Sequence, residues 1–434
     1  MNRICHILLT TMMLISTATA VADDSVPESR MLRPTAPVMV GLSVHGGYLI
    51  PKGDHNKRVL HSYGMGYADL RLQWKQTADN ADNRSLNFPT LEAGIIYGDY
   101  THIHMQDAQS PVPSQIGREI AVYGGIQCDL WQHGPWRAGL NLQNGIAYFT
   151  KHFDPNRSPD NHLVGSPLSI YISIGGYIAR KISNQWEVAL GANFKHISNG
   201  TLNRPNLGAN TIGPELRVSR AINGQQPTAN RQQPTANGQQ PTANGQQPTA
   251  NGQQPSTISH QPSAISQPPY KPLYLELSAG ISGNTLSDQF NTYHTNHNPL
   301  YASAVAMVAP MYRYCQLMAS GIEMDYSYAT YADHIRFYDE LNDHPGYQYS
   351  RHVLGIGVRH EFFYRQVSLH AGVGKYVYRH MGHYAATRDG GTYQTIGLRY
   401  SFAATGNRLF VGYNVKAHNF SKADCMQMHV GWRI

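Results

Sequence analysis

The sequence predicts an all-β protein, an antiparallel transmembrane β-barrel, on three observations. Charged residues make up only 14% of the 434-residue chain, which instead carries 28 Tyr and 40 Gly, a balance suited to aromatic girdles and close strand packing. Beyond the N-terminal segment no run of about 18 apolar residues occurs, which excludes helical membrane spans. Segments of about ten residues alternate apolar and polar side chains between turn-rich stretches, the pattern of strands with one face in lipid. The mean hydropathy of −0.41 would ordinarily suggest a soluble protein, with a secreted β-sandwich as the alternative. The low charge with the Tyr and Gly content in an exported chain instead fits a barrel with a polar interior.

The chain opens with features of an export signal. Arg3 supplies a positive start, Ile7 to Ile15 an apolar stretch, and Ala18-Thr19-Ala20 a small-residue cleavage site. We therefore read residues 1–20 as a signal peptide and 21–38 as a lead into the first strand. Cys5 lies within the signal, leaving Cys128, Cys315 and Cys425. Three scattered cysteines without CxxC spacing argue against a disulfide framework and against a zinc site. The net charge of +7, lowered by one when Arg3 is removed, suits contact with anionic lipid head groups. Nucleic-acid binding is excluded as a class: basic residues do not cluster with aromatics, and there is no Gly-rich phosphate loop.

Two barrel halves are expected, 39–220 and 271–434, each with about eight alternating segments. They resemble copies, since Leu190-Gly191-Ala192-Asn193-Phe194-Lys195 aligns without a gap on Val411-Gly412-Tyr413-Asn414-Val415-Lys416, each match preceding the last strand of its half. Duplicated eight-strand units yield either one larger barrel or two small ones, and one larger barrel is favoured here. Between the halves, residues 221–270 read as a linker. From Asn223 a seven-residue unit, Asn-Gly-Gln-Gln-Pro-Thr-Ala, recurs at Asn230, Asn237, Asn244 and Asn251, with a Pro in each copy and no apolar seam for a coiled coil.

Chemistry concentrates in Trp186 to Arg220. Strand alternation puts Trp186, Val188, Leu190, Ala192, Phe194, His196 and Ser198 on one face, and Glu187, Asn193 and Lys195 on the other. An apolar stripe ending in His and Ser reaches the outer end of its membrane band if odd strands run outward. Two residues apart on one strand, an imidazole and a hydroxyl point the same way, which can make the hydroxyl a nucleophile. On the next strand Asn210, Ile212, Pro214, Leu216 and Val218 share the lipid-facing parity. Asn210 is thus the expected orienting partner of His196, while Glu215 should point into the lumen. Pro214 lacks an amide donor, so a bulge there would reset this parity.

These residues carry a resemblance. His196-Ile197-Ser198-Asn199-Gly200, followed by Arg204-Pro205-Asn206-Leu207-Gly208-Ala209-Asn210, is similar to the signature of the lipid A 3-O-deacylase family of outer-membrane barrels. The resemblance implies His196 as general base, Ser198 as nucleophile, and Asn206 with nearby backbone amides as an oxyanion hole, with Asn199 and Gly208 supporting the loop. It implies lipopolysaccharide of the outer leaflet as partner, the outer membrane as location, and no metal or other cofactor. One departure stands out: Asn210 occupies the place where the family pattern has Glu. The spacing of His196, Ser198 and Asn210 also resembles outer-membrane phospholipase A, a calcium-dependent dimer, so calcium and a homodimer belong to that alternative. A porin or structural barrel whose loop echoes the motif is the alternative of another class. In the second half Ala417 stands opposite His196 and Asn419 opposite Ser198, while His418 should face the lumen with Asn414 and Lys416. That half is expected to be structural and to hold no active site.

Overall fold

The computed structural model describes residues 38–222, 271–286, 299–387, 389–419 and 422–434. The expected signal peptide and nearly all of the expected linker lie outside them. The described residues form two closed antiparallel barrels of eight strands each. The first consists of β1 (Val38–Ile50), β2 (Gly64–Lys75), β3 (Thr90–Met105), β4 (Ser114–His133), β5 (Trp136–Phe149), β6 (Leu168–Lys181), β7 (Trp186–Ser198) and β8 (Ala209–Ala221). The second consists of β9 (Leu273–Thr285), β10 (Leu300–Arg313), β11 (Met318–Tyr328), β12 (Tyr349–Tyr364), β13 (Val367–Met381), β14 (Thr392–Ser401), β15 (Leu409–His418) and β16 (Lys422–Arg433).

The single larger barrel favoured by the sequence is therefore incorrect. Such a barrel would need β8 to pair with β9. Instead β8 pairs with β1, from Met39↔Ala221 to Ile50↔Asn210, and β16 pairs with β9, from Met426↔Gly283 to Arg433↔Glu276. Alternation is the same in either arrangement, so only long-range pairing distinguishes them.

Each lumen is filled by side chains, as the width of an eight-stranded interior allows. In the first, the fully buried Arg71 guanidinium meets Asp69, Glu92 (3.3 Å) and Glu215 (2.8 Å). Tyr123 donates to Asp69 at 3.0 Å, and Gln127 and Gln143 donate to Glu92 at 2.6 and 2.8 Å. In the second, Arg359 and Arg399 both donate to Glu276 at 2.6 Å, and Lys416 donates to Asp325 at 2.5 Å. Charges buried this way persist because each is paired.

The outer faces are apolar and exposed, with Leu42, Leu70, Ile95, Val122, Leu140, Leu190 and Leu216 among them. A belt of that extent has no place in water and matches the hydrocarbon layer. Trp131, Trp136 and Trp186 lie exposed near one rim, at or beside strand ends, where amphipathic rings suit a membrane interface.

The barrels pack against each other. Ile146, Ile170 and Leu202 of the first form a buried cluster with Tyr413 and Met426 of the second. At the opposite end Tyr364 donates to Asn83 (2.8 Å) and Gln316 to Asp82 (2.7 Å). Cys128, Cys315 and Cys425 are free thiols.

Candidate active site

β7 and β8 pair without a break from Trp186↔Arg220 to Ile197↔Ala209. Pro214 does not reset the parity. The ladder from β8 to β1 skips its level, between His45↔Glu215 and Tyr48↔Ile212, and resumes in the same register. The faces consequently fall as the alternation requires. Leu190, Phe194, Ile212 and Leu216 are exposed on the outside, and Glu187, Asn193, Lys195 and Glu215 are buried inside. Glu215 is occupied in the lumen, accepting from Ser43 (3.1 Å), Arg71 and Asn193 (2.6 Å).

His196 and Asn210 are direct cross-strand partners, and their outward side chains meet with Nδ1 2.7 Å from Oδ1. Asn210 Nδ2 lies 3.4 Å from the Gly208 carbonyl oxygen, to which it donates. That orientation of the amide leaves Oδ1 as acceptor, so Nδ1 of His196 carries the proton and Nε2 holds the free lone pair. Ser198, on the same face and nearly buried, accepts hydrogen bonds from Asn206 Nδ2 at 2.7 Å and from the Gly200 amide at 3.3 Å. A hydroxyl has two lone pairs and one proton. With both lone pairs engaged, the Ser198 proton is the group left to donate. Ser198 and His196 are not hydrogen-bonded to each other among the described residues.

The loop from 199 to 208 holds this arrangement. Asn199 Nδ2 donates to Ser166 Oγ and to the Asn203 carbonyl, both at 2.9 Å, and its Oδ1 accepts from the Thr201 amide at 3.0 Å. Its side chain is thus spent on the loop. The Leu207 and Gly208 amides donate to the carbonyls of His162 and Leu163 at 2.8 and 3.0 Å. Gly208 has φ +81° and would place a Cβ 2.8 Å from His196 Cε1; glycine is required on both counts. Asn199 and Gly208 therefore support the loop, whereas Asn206 faces Ser198. Gly200 stands in the signature quoted above, whereas Ser166 and the His162-Leu163 backbone were not singled out in the sequence. Those residues come from the β5–β6 connection, remote in sequence, and had no local signal.

Among the described residues the second barrel has no equivalent group. A register shift lies between Lys416 and Ala417. His418 is buried and bonded to Tyr376 Oη at 2.9 Å, and Lys416 is buried against Asp325.

The comparisons with known proteins decide the family. Residues 66–219 match the model "Lipid A 3-O-deacylase (PagL)", and residues 273–434 match "Acyloxyacyl hydrolase, C-terminal domain". The first barrel belongs to the lipid A 3-O-deacylase family. As a member it is an outer-membrane β-barrel hydrolase of the deacylase type. No curated protein matches the chain. Among solved structures, the outer membrane enzyme PagL aligns at 15% identity over 42% of this chain and 97% of its own, with a TM-score of 0.26. Neisserial surface protein A aligns at 8% identity over 43% and 97%, with a TM-score of 0.25. A mutant porin of Rh. blastica aligns at 8% identity over 92% and 99%, with a TM-score of 0.16.

Proposed function

We propose that this deacylase hydrolyses the 3-O-acyl ester of lipid A at the outer leaflet, with Ser198 as nucleophile, His196 as general base and Asn210 as the group that orients the imidazole. The observation that carries this reading is the 2.7 Å contact between His196 Nδ1 and Asn210 Oδ1, with Ser198 two residues further on the same face.

Nε2 of His196 accepts the Ser198 proton as Oγ attacks the ester carbonyl carbon. The carbonyl oxygen becomes an oxyanion on the carbon that Oγ has attacked, two bonds from Oγ and within range of the Asn206 carboxamide and the Gly200 amide. Collapse of this intermediate breaks the carbon–oxygen bond to the sugar. The departing alkoxide takes the proton back from His196, leaving an acyl-Ser198 ester. Water then attacks that ester while His196 again accepts and returns a proton, releasing the fatty acid and restoring Ser198. Catalytic hydrogen bonds are commonly completed only with substrate in place, which accommodates the absence of a direct His196–Ser198 bond.

The surroundings suit a lipid chain. Phe194, Ile212 and Tyr48 are successive cross-strand neighbours on β7, β8 and β1, and all three are exposed. They form an apolar stripe leading from the membrane band to the site, along which an acyl chain can lie without leaving hydrocarbon.

Mass spectrometry of lipid A from cells producing the protein tests the proposal. The wild-type chain is expected to remove one ester-linked acyl chain, and a folded Ser198→Ala variant none. Full deacylation by that variant would remove Ser198 from the mechanism.

A further inference from the structure

The loop that carries Asn206 stands with its stems on the first barrel and its apex on the second. Thr201 Oγ1 donates to the Asp424 carbonyl at 2.8 Å, and the Thr201 carbonyl accepts from the Thr285 amide at 2.9 Å and from Thr285 Oγ1 at 3.0 Å. Leu202, one residue on, is buried against the second barrel in the cluster containing Tyr413 and Met426. Gly200 lies so near that a Cβ on it would come within 3.3 Å of Met426 Cβ. Gly200 and Thr201 both have positive φ, +60° and +72°. For a β-branched threonine this is a costly conformation, held only when its surroundings over-determine it. Here the surroundings are β9 and β16. The residues so fixed are flanked by Ser198 and Asn206, whose 2.7 Å contact depends on the path of the loop between them.

We propose that the second barrel, which supplies no reacting group, is a positioning element for catalysis, docking the apex of the Ser198–Asn206 loop through Met426 and Thr285. The inference rests on the function proposed above. Displacing Gly200 and Asn206 relative to Ser198 weakens stabilisation of the transition state, while the apolar stripe of β7, β8 and β1 that receives the acyl chain is untouched. Loss of docking therefore lowers kcat and leaves KM nearly unchanged.

The test uses the full chain in detergent–lipid A micelles, with heat-modifiability confirming a folded barrel. Met426→Ala is expected to lower kcat about tenfold or more with KM within about twofold of wild type, since small misplacements of catalytic groups are costly. Met426→Leu is expected to restore most of the rate, as a similar volume fills the site. Val430→Ala, exposed on the outer face of the same strand, is expected to change nothing. Thr285→Val, which removes only the hydroxyl donor to the Thr201 carbonyl, provides a milder variant and is expected to lower kcat severalfold. Wild-type rates in folded Met426→Ala, or in Thr285→Val should the first not fold, overturn the positioning role while leaving the deacylase reading intact. A wild-type chain as inactive as Ser198→Ala overturns both.

Discussion

His196 Nδ1 lies 2.7 Å from Asn210 Oδ1, its direct partner across the β7–β8 ladder. The contact joins a base to a neutral acceptor: it fixes the tautomer and the ring plane without placing a negative charge beside the imidazole. In the proposed mechanism the imidazolium formed at His196 is therefore stabilised less than it would be by a carboxylate.

Replacing Asn210 by Ala is expected to lower kcat about a hundredfold, because the ring loses its orientation and tautomer. Asn210→Asp is expected to retain activity or increase it, by supplying the missing charge. Both are read from initial rates of fatty acid release, and an Ala variant as fast as wild type rejects the orienting role.

Gly208→Ala combines a residue at φ +81° with a Cβ 2.8 Å from His196 Cε1. The backbone cost is about 1–2 kcal/mol, and the displaced imidazole is expected to lower kcat at least about tenfold. Rates together with denaturant unfolding in lipid check both effects; a variant that loses stability and keeps its rate contradicts the close packing of glycine on the ring.

A pH effect is expected in the loops. His162 stacks on His55 with ring centroids 3.8 Å apart, near Phe153, and Asp160 lies 4.0 Å from His55 Nε2. Burial, with the His55 charge adding to it, holds the His162 pKa down at about 4 against an ordinary 6.5. As pH falls from 6.5 toward 4 the opened loop takes up the proton before the closed one, so closure weakens across that window and levels off below it. The Leu207 amide donates to the His162 carbonyl, so its hydrogen-exchange protection is expected to fall across this range. In His162→Phe that fall should be largely gone; the same fall in both proteins assigns it to another group.

Arg71 is shared by Asp69, Glu92 and Glu215 in the first lumen, where Arg217 also lies 3.6 Å from Glu215. Arg71→Met leaves three carboxylates buried together, and a loss of about 3–5 kcal/mol is expected. Adding Glu215→Gln should recover part of it. Unfolding in lipid measures both variants, and an unshifted transition for the single variant refutes the pairing as a source of stability.

The proposed mechanism uses protein donors alone. Chelation by EDTA in detergent micelles is accordingly expected to leave the deacylation rate unchanged. Collapse of activity on chelation, restored by calcium and accompanied by lysophospholipid release, would favour the phospholipase alternative.

By itself the sequence determined the strands and the sidedness of the site. A two-residue period is local, so the outward set Phe194, His196 and Ser198 and the inward set Asn193, Lys195 and Glu215 could be read from spacing, and the parity of β8 then brought Asn210 to His196. Tertiary structure alone decided what depends on remote segments. Closure into two barrels rests on β1 meeting β8 and β9 meeting β16, which alternation does not encode. The anchoring of the loop on Ser166, His162 and Leu163, and its apex against Thr285 and Met426, arises from hydrogen bonds and packing between stretches as much as 226 residues apart in the chain, Gly200 to Met426, where no local pattern of residue types carries the signal.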